Sequence, residues 1–368
     1  MTETVTRLLL WAAAPEDRGA SIPAWMPECL ALRASERLVA RAVAEGMAGF
    51  VYQRLKKIGQ LGMLSEPARR RLEAVYYLTL QTNLKRLSIL HDILAPELPV
   101  VLIQGAALLV ELYDDPGLRP LTDIDLWVPS AAKDHLLAVL NRLGFRSNPS
   151  TPGLLRNGDL LIDVHTHLLG AERIRSRSFL LSRSQEEIFL ACRRKRWEGR
   201  EILCLDERDQ VIFLTLHAIK HYFERLIWLA DLARLVASWE EADWVAARRR
   251  AEWLGQSRLI DLLAYTLKAV LGCGLSGPRI RSTEISGLEK HLLRRRREGP
   301  LPRWSPLVLL SAGGGMRQLE FVLENFFPRP AVLQAIFSPN VGFSEWRLYG
   351  KRVRQLFGML NNHGRSGA

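Results

Sequence analysis

Three aspartates, Asp123, Asp125 and Asp163, are the residues whose types and spacing point most clearly to chemistry. The first two lie in the segment 121–128, which reads LTDIDLWV and alternates apolar with acidic residues. Alternate side chains of a strand share one face, so Asp123 and Asp125 would project together, away from the core. Adjacent carboxylates repel each other unless a cation lies between them, and such hard oxygen ligands suit Mg²⁺. The pattern therefore predicts a magnesium site.

A second acidic strand repeats this pattern at residues 159–165, which read DLLIDVH. Asp163 and His165 would share one face while Ile162 and Val164 face the core. If this strand lies beside the first, Asp163 completes a triad that can hold two ions of Mg²⁺ or Mn²⁺. One ion would lower the pKa of an acceptor hydroxyl, and the other would hold a triphosphate and its leaving pyrophosphate. An Asp-x-Asp pair alone is weak evidence, because such pairs also occur on solvated strands.

A glycine turn upstream strengthens this interpretation. Ile103, Gln104, Gly105 and Ala106 connect a short apolar run to a helical segment. Glycine lets the backbone approach a phosphate closely, and the first amides of a helix are unpaired and carry partial positive charge. The turn thus predicts a phosphate cradle that faces the metal site, although a simple tight turn would leave the same signature.

The elements that must position these residues are predicted from hydrophobic periodicity. Residues 1–95 are predicted to be helical, with helices over Ala31–Leu55 and Glu66–Leu94. Residues 96–170 alternate strands and helices, which indicates a small α/β unit. Its predicted elements are strands at 100–103, 124–128 and 160–165, helices at 106–113 and 130–143 with Ser130 as N-cap, and a loop at 148–153.

The region 171–368 is predicted to be helical again and to supply the acceptor pocket. Its predicted helices cover 209–221, 227–237, 244–254, 259–271 and 319–327, with a break at Gly313–Gly315 and a basic, aromatic tail at 341–360. The expected fold is therefore α+β, with a small mixed β-sheet core packed between N-terminal and C-terminal helical regions.

Composition indicates the cellular location and the class of partner. No apolar run reaches the ~18 residues that span a bilayer, and no positive cluster precedes the apolar stretch near the N-terminus. The four cysteines are too far apart for a zinc pattern or a disulfide framework, so we expect a cytoplasmic protein. The net charge of +12 favours polyanionic partners such as nucleotides or nucleic acid. The oligomeric state is not indicated.

The glycine turn, the Asp-x-Asp strand and the later acidic strand together resemble the nucleotidyltransferase superfamily with the DNA-polymerase-β-like fold. Wider matches resemble one bacterial branch of uncharacterised nucleotidyltransferases. They comprise Gln104–Leu108, Tyr113–Pro120, Asp123–Leu126, Ile162–His165, His217, His221, 228–233, Phe327 and Pro328. The resemblance is specific over 100–235 and loose on either side. The resemblance implies an enzyme that transfers a nucleoside monophosphate from a nucleoside triphosphate (NTP) to an acceptor.

The resemblance also implies roles for further residues. Gln104, Gly105, Ala106 and Arg119 would bind the nucleotide. Gln104 stands where the family commonly has lysine, and glutamine can only form hydrogen bonds to a triphosphate. Arg119 would reach the triphosphate as a planar cation, or else pair with Asp114 or Asp115.

Four residues are candidates for contacts around the metal ligands or with the acceptor. His165 would orient a metal-bound carboxylate or contact the acceptor. His217 and His221 share a helix face, and the resemblance suggests that they line a cleft with Asp231. Structural hydrogen bonding between helices is the alternative for these last three residues.

The sequence predicts a Mg²⁺-dependent nucleotidyltransferase with Asp123, Asp125 and Asp163 as metal ligands and catalytic residues. The acceptor stays open among a small molecule, a peptide, a protein and an RNA end. One alternative is an inactive regulatory protein such as an antitoxin, which the missing lysine keeps open. Another is an RNA-binding module, if four arginine-rich runs, 69–71, 193–196, 248–250 and 294–297, merge into one track.

Overall fold

The fold combines helices with one mixed sheet. The computed structural model describes residues 2–13, 26, 30, 32–94, 98–148, 151–272, 285–296, 316–337 and 344–362. The N-terminal helices are α1 (Thr2–Ala13), α2 (Leu32–Ala44), α3 (Ala48–Lys57) and α4 (Glu66–Ile93). The predicted helix over Ala31–Leu55 is thus two helices. The chain turns at Gly46, whose φ of +72° favours glycine and whose added Cβ would lie 2.7 Å from the Arg225 guanidinium.

The strands are β1 (Val101–Leu102), β2 (Ile124–Trp127), β3 (Arg146–Asn148), β4 (Thr151–Asn157), β5 (Leu160–His165), β6 (Arg193–Trp197) and β7 (Arg200–Cys204). They form one sheet in the order β3-β4-β5-β2-β1-β7-β6. The pairs β2–β5 and β1–β7 are parallel, and the other neighbours are antiparallel. The prediction of a mixed sheet within an α+β fold is confirmed.

Three strands depart from the predicted elements. The loop predicted over 148–153 was wrong for its last residues, because β4 begins at Thr151. The helical prediction after residue 171 missed β6 and β7, which extend the sheet through the pairing of β7 with β1. The division of the chain at residues 95 and 170 stays a prediction.

Short helices connect the strands. They are α5 (Gln104–Glu111), a 3-10 turn at Ser130–Ala132 followed by α6 (Lys133–Arg142), a 3-10 helix at Arg175–Leu180, and α7 (Gln185–Phe189). Ser130 lies inside its 3-10 turn and its side chain makes no cap, so the predicted N-cap was wrong.

The C-terminal helices follow the predicted periodicity closely. They are α8 (Glu207–Lys220), α9 (Leu226–Leu235), α10 (Glu241–Trp253), α11 (Leu259–Thr266), α12 (Gly287–Arg295), α13 (Met316–Phe326), α14 (Pro330–Phe337) and α15 (Glu345–Asn362). The break predicted at Gly313–Gly315 lies outside the described residues. None of the helices described is long and apolar enough to cross a membrane.

One hydrophobic core joins the N-terminal helices, the sheet and helices α8 to α12. Buried ion pairs fix these layers, because a buried charge without a partner is costly. Arg296 pairs with Glu45 at 2.6 Å and also donates to the Phe223 carbonyl, while Arg250 pairs with Asp209 at 2.6 Å. These contacts tie α8 and the chain after it to the helical layers around the sheet.

Candidate active site

The acidic residues predicted from the sequence meet in one cleft. Strands β2 and β5 are parallel neighbours, and their register places Asp125 directly opposite Asp163. Both aspartates are buried, with 7% and 6% exposure, and Asp123 is half-buried. All three line a cleft of about 330 Å³. The expectation that the two acidic strands present their carboxylates on the same side of the sheet agrees with this geometry.

His165 lies between these carboxylates. Its Nε2 is 3.0 Å from Asp125 Oδ1 and 3.4 Å from Asp163 Oδ2, and its Nδ1 is 3.2 Å from Glu172 Oε1. Burial alone would lower the pKa of His165, but hydrogen bonds to Asp125 and Glu172 and the charge of Asp163 raise it to about 9. The imidazole is therefore a cation at neutral pH in this arrangement.

The donor set fits a divalent cation. Carboxylate oxygens of Asp125 and Asp163 and a ring nitrogen of His165 all lie within 4.8 Å of one another, and the carboxylates are the donors while the imidazole is protonated. Burial and the neighbouring charges of Asp123 and Asp163 raise the pKa of Asp125, against the opposing effect of His165. Buried, mutually repelling carboxylates are the environment in which a hard cation gains most.

We expect His165→Ala to destabilise the metal-free protein by roughly 2 kcal/mol, because it removes a buried cation from among three carboxylates. Added Mg²⁺ should restore most of the loss, since a divalent ion can take over the charge compensation. Thermal unfolding in EDTA and in Mg²⁺ measures both effects, with the exposed His135→Ala as control. An equal Mg²⁺ response in wild type, His165→Ala and His135→Ala would contradict this role.

Arg173 is a site residue that the sequence did not reveal. Its Nη2 lies 2.5 Å from Asp163 Oδ1, and its side chain is 46% exposed toward the cleft. It belongs to the connection between β5 and the 3-10 helix, where no periodic pattern marks it. The acids of the cleft are thus compensated by the buried imidazole of His165 and by the partly exposed guanidinium of Arg173.

The glycine turn lies next to the acids. The Ile103 amide donates to the Asp125 carbonyl at 3.3 Å, and α5 begins at Gln104, whose φ is +53°. Gln104 and Gly105 both line the cleft, whereas Ala106 is buried below it. An added Cβ at Gly105 would lie 2.6 Å from Arg119 Nη1 and 2.6 Å from Leu121 Cδ1. The glycine is required by the close approach of Arg119, which the phosphate argument did not anticipate.

Gly105→Ala should therefore destabilise the fold by about 1–3 kcal/mol, the usual range for overpacking a filled site. It should also displace Arg119 and weaken nucleotide binding. Chemical unfolding and NTP titration measure the two effects, and the control is Gly287→Ala, in the first turn of α12, where an added Cβ would meet no atom within 4 Å. Gly105→Ala with full stability and unchanged NTP affinity would contradict the crowding argument.

Arg119 is held in place by a distant partner. Its Nε lies 3.2 and 3.1 Å from the two carboxylate oxygens of Asp231, which also accepts from the Tyr113 hydroxyl. The predicted pairing of Arg119 with Asp114 or Asp115 was wrong, since Asp115 instead binds the Gly117 amide and the Tyr76 hydroxyl. Asp231 is 1% exposed and lies behind Arg119, which itself borders the cleft.

His217, His221 and Trp228 form an aromatic group on the helical side of the cleft. Their ring centroids lie between 4.7 and 5.4 Å apart, and all three line the cleft. Burial, followed by nearby positive charge, lowers the pKa of His221 to about 4 and that of His217 well below its usual value. Both imidazoles are neutral at physiological pH, so they offer hydrogen bonds and flat surfaces rather than charge.

Lys220 is a second cation that sequence reasoning missed. It ends α8 between the two histidines and borders the cleft with an exposed side chain. Partial desolvation of its amine, followed by the charges of Arg177 and Arg173, lowers the pKa of Lys220 to about 8. The heptapeptide HAIKHYF contained the signal, because Lys220 shares a helix face with His217.

The arginine-rich runs are placed elsewhere. Among the described residues that line the cleft, none belongs to a run. Arg193, Arg248, Arg250 and Arg296 are each paired with an acidic side chain of the protein. The basic track required by the RNA-binding alternative is therefore not formed beside the acids in the part of the chain that the structure describes.

Carboxylates on neighbouring strands, a glycine turn and a set of cations around one cleft define a site of the kind that binds a divalent metal and phosphates. Residues 33–272 match the model of a family described as uncharacterised nucleotidyltransferase, which covers more than half of the chain. The chain belongs to this nucleotidyltransferase family, so the predicted family is confirmed. No curated protein and no solved structure matches it.

Proposed function

We propose that this chain is a Mg²⁺-dependent nucleotidyltransferase that moves a nucleoside monophosphate from an NTP to an acceptor oxygen. The direct opposition of Asp125 and Asp163 across β2 and β5, in the same cleft as the glycine turn, carries this proposal. Membership of the family supports transfer of nucleotidyl groups. The metal, the donor and the roles below are our inference.

Asp125 and Asp163 would bind the metal, with Asp123 completing the set. Bound there, Mg²⁺ neutralises triphosphate charge and lowers the pKa of an acceptor hydroxyl. Mn²⁺ prefers similar oxygen ligands and could substitute. His165 would hold Asp125 and Asp163 in place through its ring nitrogens, and Glu172 would fix the imidazole from the other side.

The triphosphate would lie along the glycine turn. The first amides of α5 have no intrahelical partner and can donate to phosphate oxygens. Arg119 would contribute a fixed cation, positioned by Asp231. Lys220 would supply the charge that a lysine at position 104 supplies in related proteins, because both residue 104 and residue 220 line this cleft.

The reaction requires little covalent chemistry from the protein. An acceptor oxygen attacks the α-phosphorus, the bond to the bridging oxygen of the β-phosphate breaks, and pyrophosphate leaves. A proton released by a hydroxyl acceptor would pass to Asp163. His217, His221 and Trp228 would offer neutral aromatic surfaces to the base or ribose, since their rings border the same cleft.

Position-specific labelling tests this function. Purified protein with Mg²⁺ and an extract of its native host receives an NTP labelled at the α- or at the γ-phosphate. A nucleotidyltransferase moves the α-label into an acceptor and releases the γ-label in pyrophosphate. Transfer of the γ-label instead would indicate a kinase, and absence of any transfer with all four NTPs and with Mn²⁺ would favour the inactive regulatory alternative.

A further inference from the structure

A second cavity adjoins the cleft. It has a volume of about 100 Å³ and shares the residues Gln104, His165, Arg173, Leu214, His217 and Lys220 with the cleft. Its other walls are mainly apolar and come from the connection after β5, from α8 and from α13. These apolar residues include Leu168, Leu169, Leu180, Phe213, Leu216 and Phe321.

Beyond the residues shared with the cleft, the polar side chains described in this wall are those of Arg177, Gln210, Tyr222 and Asn325. Arg177 donates only to the Leu169 carbonyl, at 3.4 Å, and among the described residues neither it nor Lys220 forms an ion pair. Burial lowers the pKa of Arg177 to about 10, although Glu172 opposes this effect at longer range. A half-buried, incompletely compensated cation beside a cavity is a place where an anion would be stabilised.

Backbone strain is concentrated at the same boundary. Of the described non-glycine residues with positive φ, Gln104 and Tyr222 line the cavity and Phe223 follows immediately. The remaining one, Glu198, lies in the turn between β6 and β7, where such a conformation is usual. Left-handed backbone costs free energy at bulky residues and persists where the surroundings impose it, often at ligand sites.

We propose that this second cavity binds the acceptor, and that the acceptor is a small molecule with an apolar body and an anionic oxygen acid group, a carboxylate or a phosphate. The apolar walls would enclose the body and Arg177 would bind the anion, while Lys220 serves the triphosphate in the adjoining cleft. At about 10–15 Å³ for each water-sized group, the cavity holds roughly seven to ten such groups. This size fits a single ring or a short chain and excludes a folded macromolecule.

This inference rests on the proposed function and makes its chemistry simpler. The acid group is already deprotonated at neutral pH, so its oxygen attacks the α-phosphorus without a base. The new bond joins that oxygen to the α-phosphorus, and the bond to the β-phosphate bridging oxygen breaks with release of pyrophosphate. The product is a mixed anhydride from a carboxylate, or a diphosphate linkage from a phosphate.

Calorimetric binding to the full chain without NTP tests the pocket independently of catalysis. The probes are benzoate and phenyl phosphate, with benzyl alcohol as the neutral match and with acetate and inorganic phosphate as matches that lack the ring. We expect at least one aromatic acid to bind more tightly than all three matches. Arg177→Gln should weaken this binding roughly tenfold, as expected for loss of a charge-assisted hydrogen bond.

Two further variants keep this test interpretable. Arg175→Gln, at an exposed arginine of the same 3-10 helix that borders neither cavity, should leave binding unchanged. Arg177→Lys should recover part of the affinity if charge is what matters. Binding of only benzoate or only phenyl phosphate would support the proposal and identify the acid group.

Several results would overturn the acceptor pocket. Two concern the probes: benzyl alcohol binding as tightly as the aromatic acids, or no binding of either aromatic acid. Two concern the nucleotide: displacement of the bound probe by an α,β-methylene analogue of ATP, or tighter binding of adenosine than of the acids. The two proposals can fail separately. Transfer of the α-label without probe binding would support the transferase function and contradict the acceptor pocket. Probe binding without transfer of the α-label would support the acceptor pocket and contradict the transferase function.

Discussion

Asp125→Asn is expected to reduce transfer of the α-labelled nucleotide by roughly three orders of magnitude, the scale seen when a central charged group of an active site is lost. The substitution keeps the shape of the side chain but removes the charge of the carboxylate at the centre of the cluster. Folding should survive, because burial, followed by the charges of Asp123 and Asp163, raises the pKa of Asp125 and so disfavours its charged form. Initial rates with saturating NTP and Mg²⁺ measure the effect.

The matched control is Asp159→Asn, which alters an exposed aspartate four residues before Asp163 on the same hairpin. Asp159 pairs with Lys85 on the surface and borders neither cavity. It should keep wild-type transfer and differ in stability by only a few tenths of a kcal/mol, as exposed pairs do. Transfer that survives in Asp125→Asn, or is lost equally in Asp159→Asn, would disprove the assigned metal cluster.

The placement of the acids was predictable because it follows from local rules. Alternation along a strand puts Asp123 and Asp125 on one face whatever the rest of the chain does. The parallel pairing of β2 with β5, which brings Asp163 opposite Asp125, needed only the assumption that the two acidic strands are neighbours. The facing of Asp125 and Asp163 could therefore be predicted from the sequence, and their role as metal ligands stays a prediction.

The missed strands β6 and β7 had no comparable pattern. The sequence RRKRW of β6 alternates exposed with half-buried positions at the edge of the sheet, where charged residues discourage further pairing. An arginine-rich run without apolar alternation resembles a solvated helix face. Only the pairing of β7 with β1, about a hundred residues earlier in the chain, makes this hairpin part of the sheet.

The other wrong or missing predictions concern residues whose partners are distant in the sequence. Arg119 and Asp231 are 112 residues apart, and nothing in either segment indicates the other. The nearby Asp114 and Asp115 were more obvious partners on sequence distance alone, yet Asp115 is used to build its own turn. Lys220 was missed for a related reason, since a lysine near a helix C-terminus is usually a solvated favourable charge.

Lys220→Met should raise the KM for NTP about 10- to 100-fold with a smaller change in kcat, because a charge-assisted hydrogen bond to the triphosphate is lost. Lys220→Arg should retain most of the affinity. Lys85→Met, which removes an exposed lysine from α4, is the control that changes net charge equally. Steady-state kinetics across NTP concentrations separates the two constants, and an unchanged KM in Lys220→Met would contradict the proposed replacement of the residue-104 lysine.

The pKa of Lys220 also predicts how the use of NTP depends on pH. The pKa of Lys220 is lowered to about 8, so its amine is charged below pH 8 and becomes neutral above it. Wild-type kcat/KM for NTP, which reports groups of the free enzyme, should therefore fall as pH rises through about 8. The charges that act on Lys220 come from Arg177, Arg173, Asp125 and Asp163, and the neighbouring His217 and His221 are already neutral.

Variants separate this titration from that of His165, whose pKa of about 9 lies close by. Lys220→Arg stays charged and should not show the decline near pH 8, whereas Lys220→Met should start low and stay flat in the same interval. A decline that persists unchanged in both variants would assign the titration to His165 or to the substrate. The charge that meets the triphosphate would then come from Arg119 and the helix amides, and Gln104 would mark a weakened nucleotide site rather than a relocated lysine.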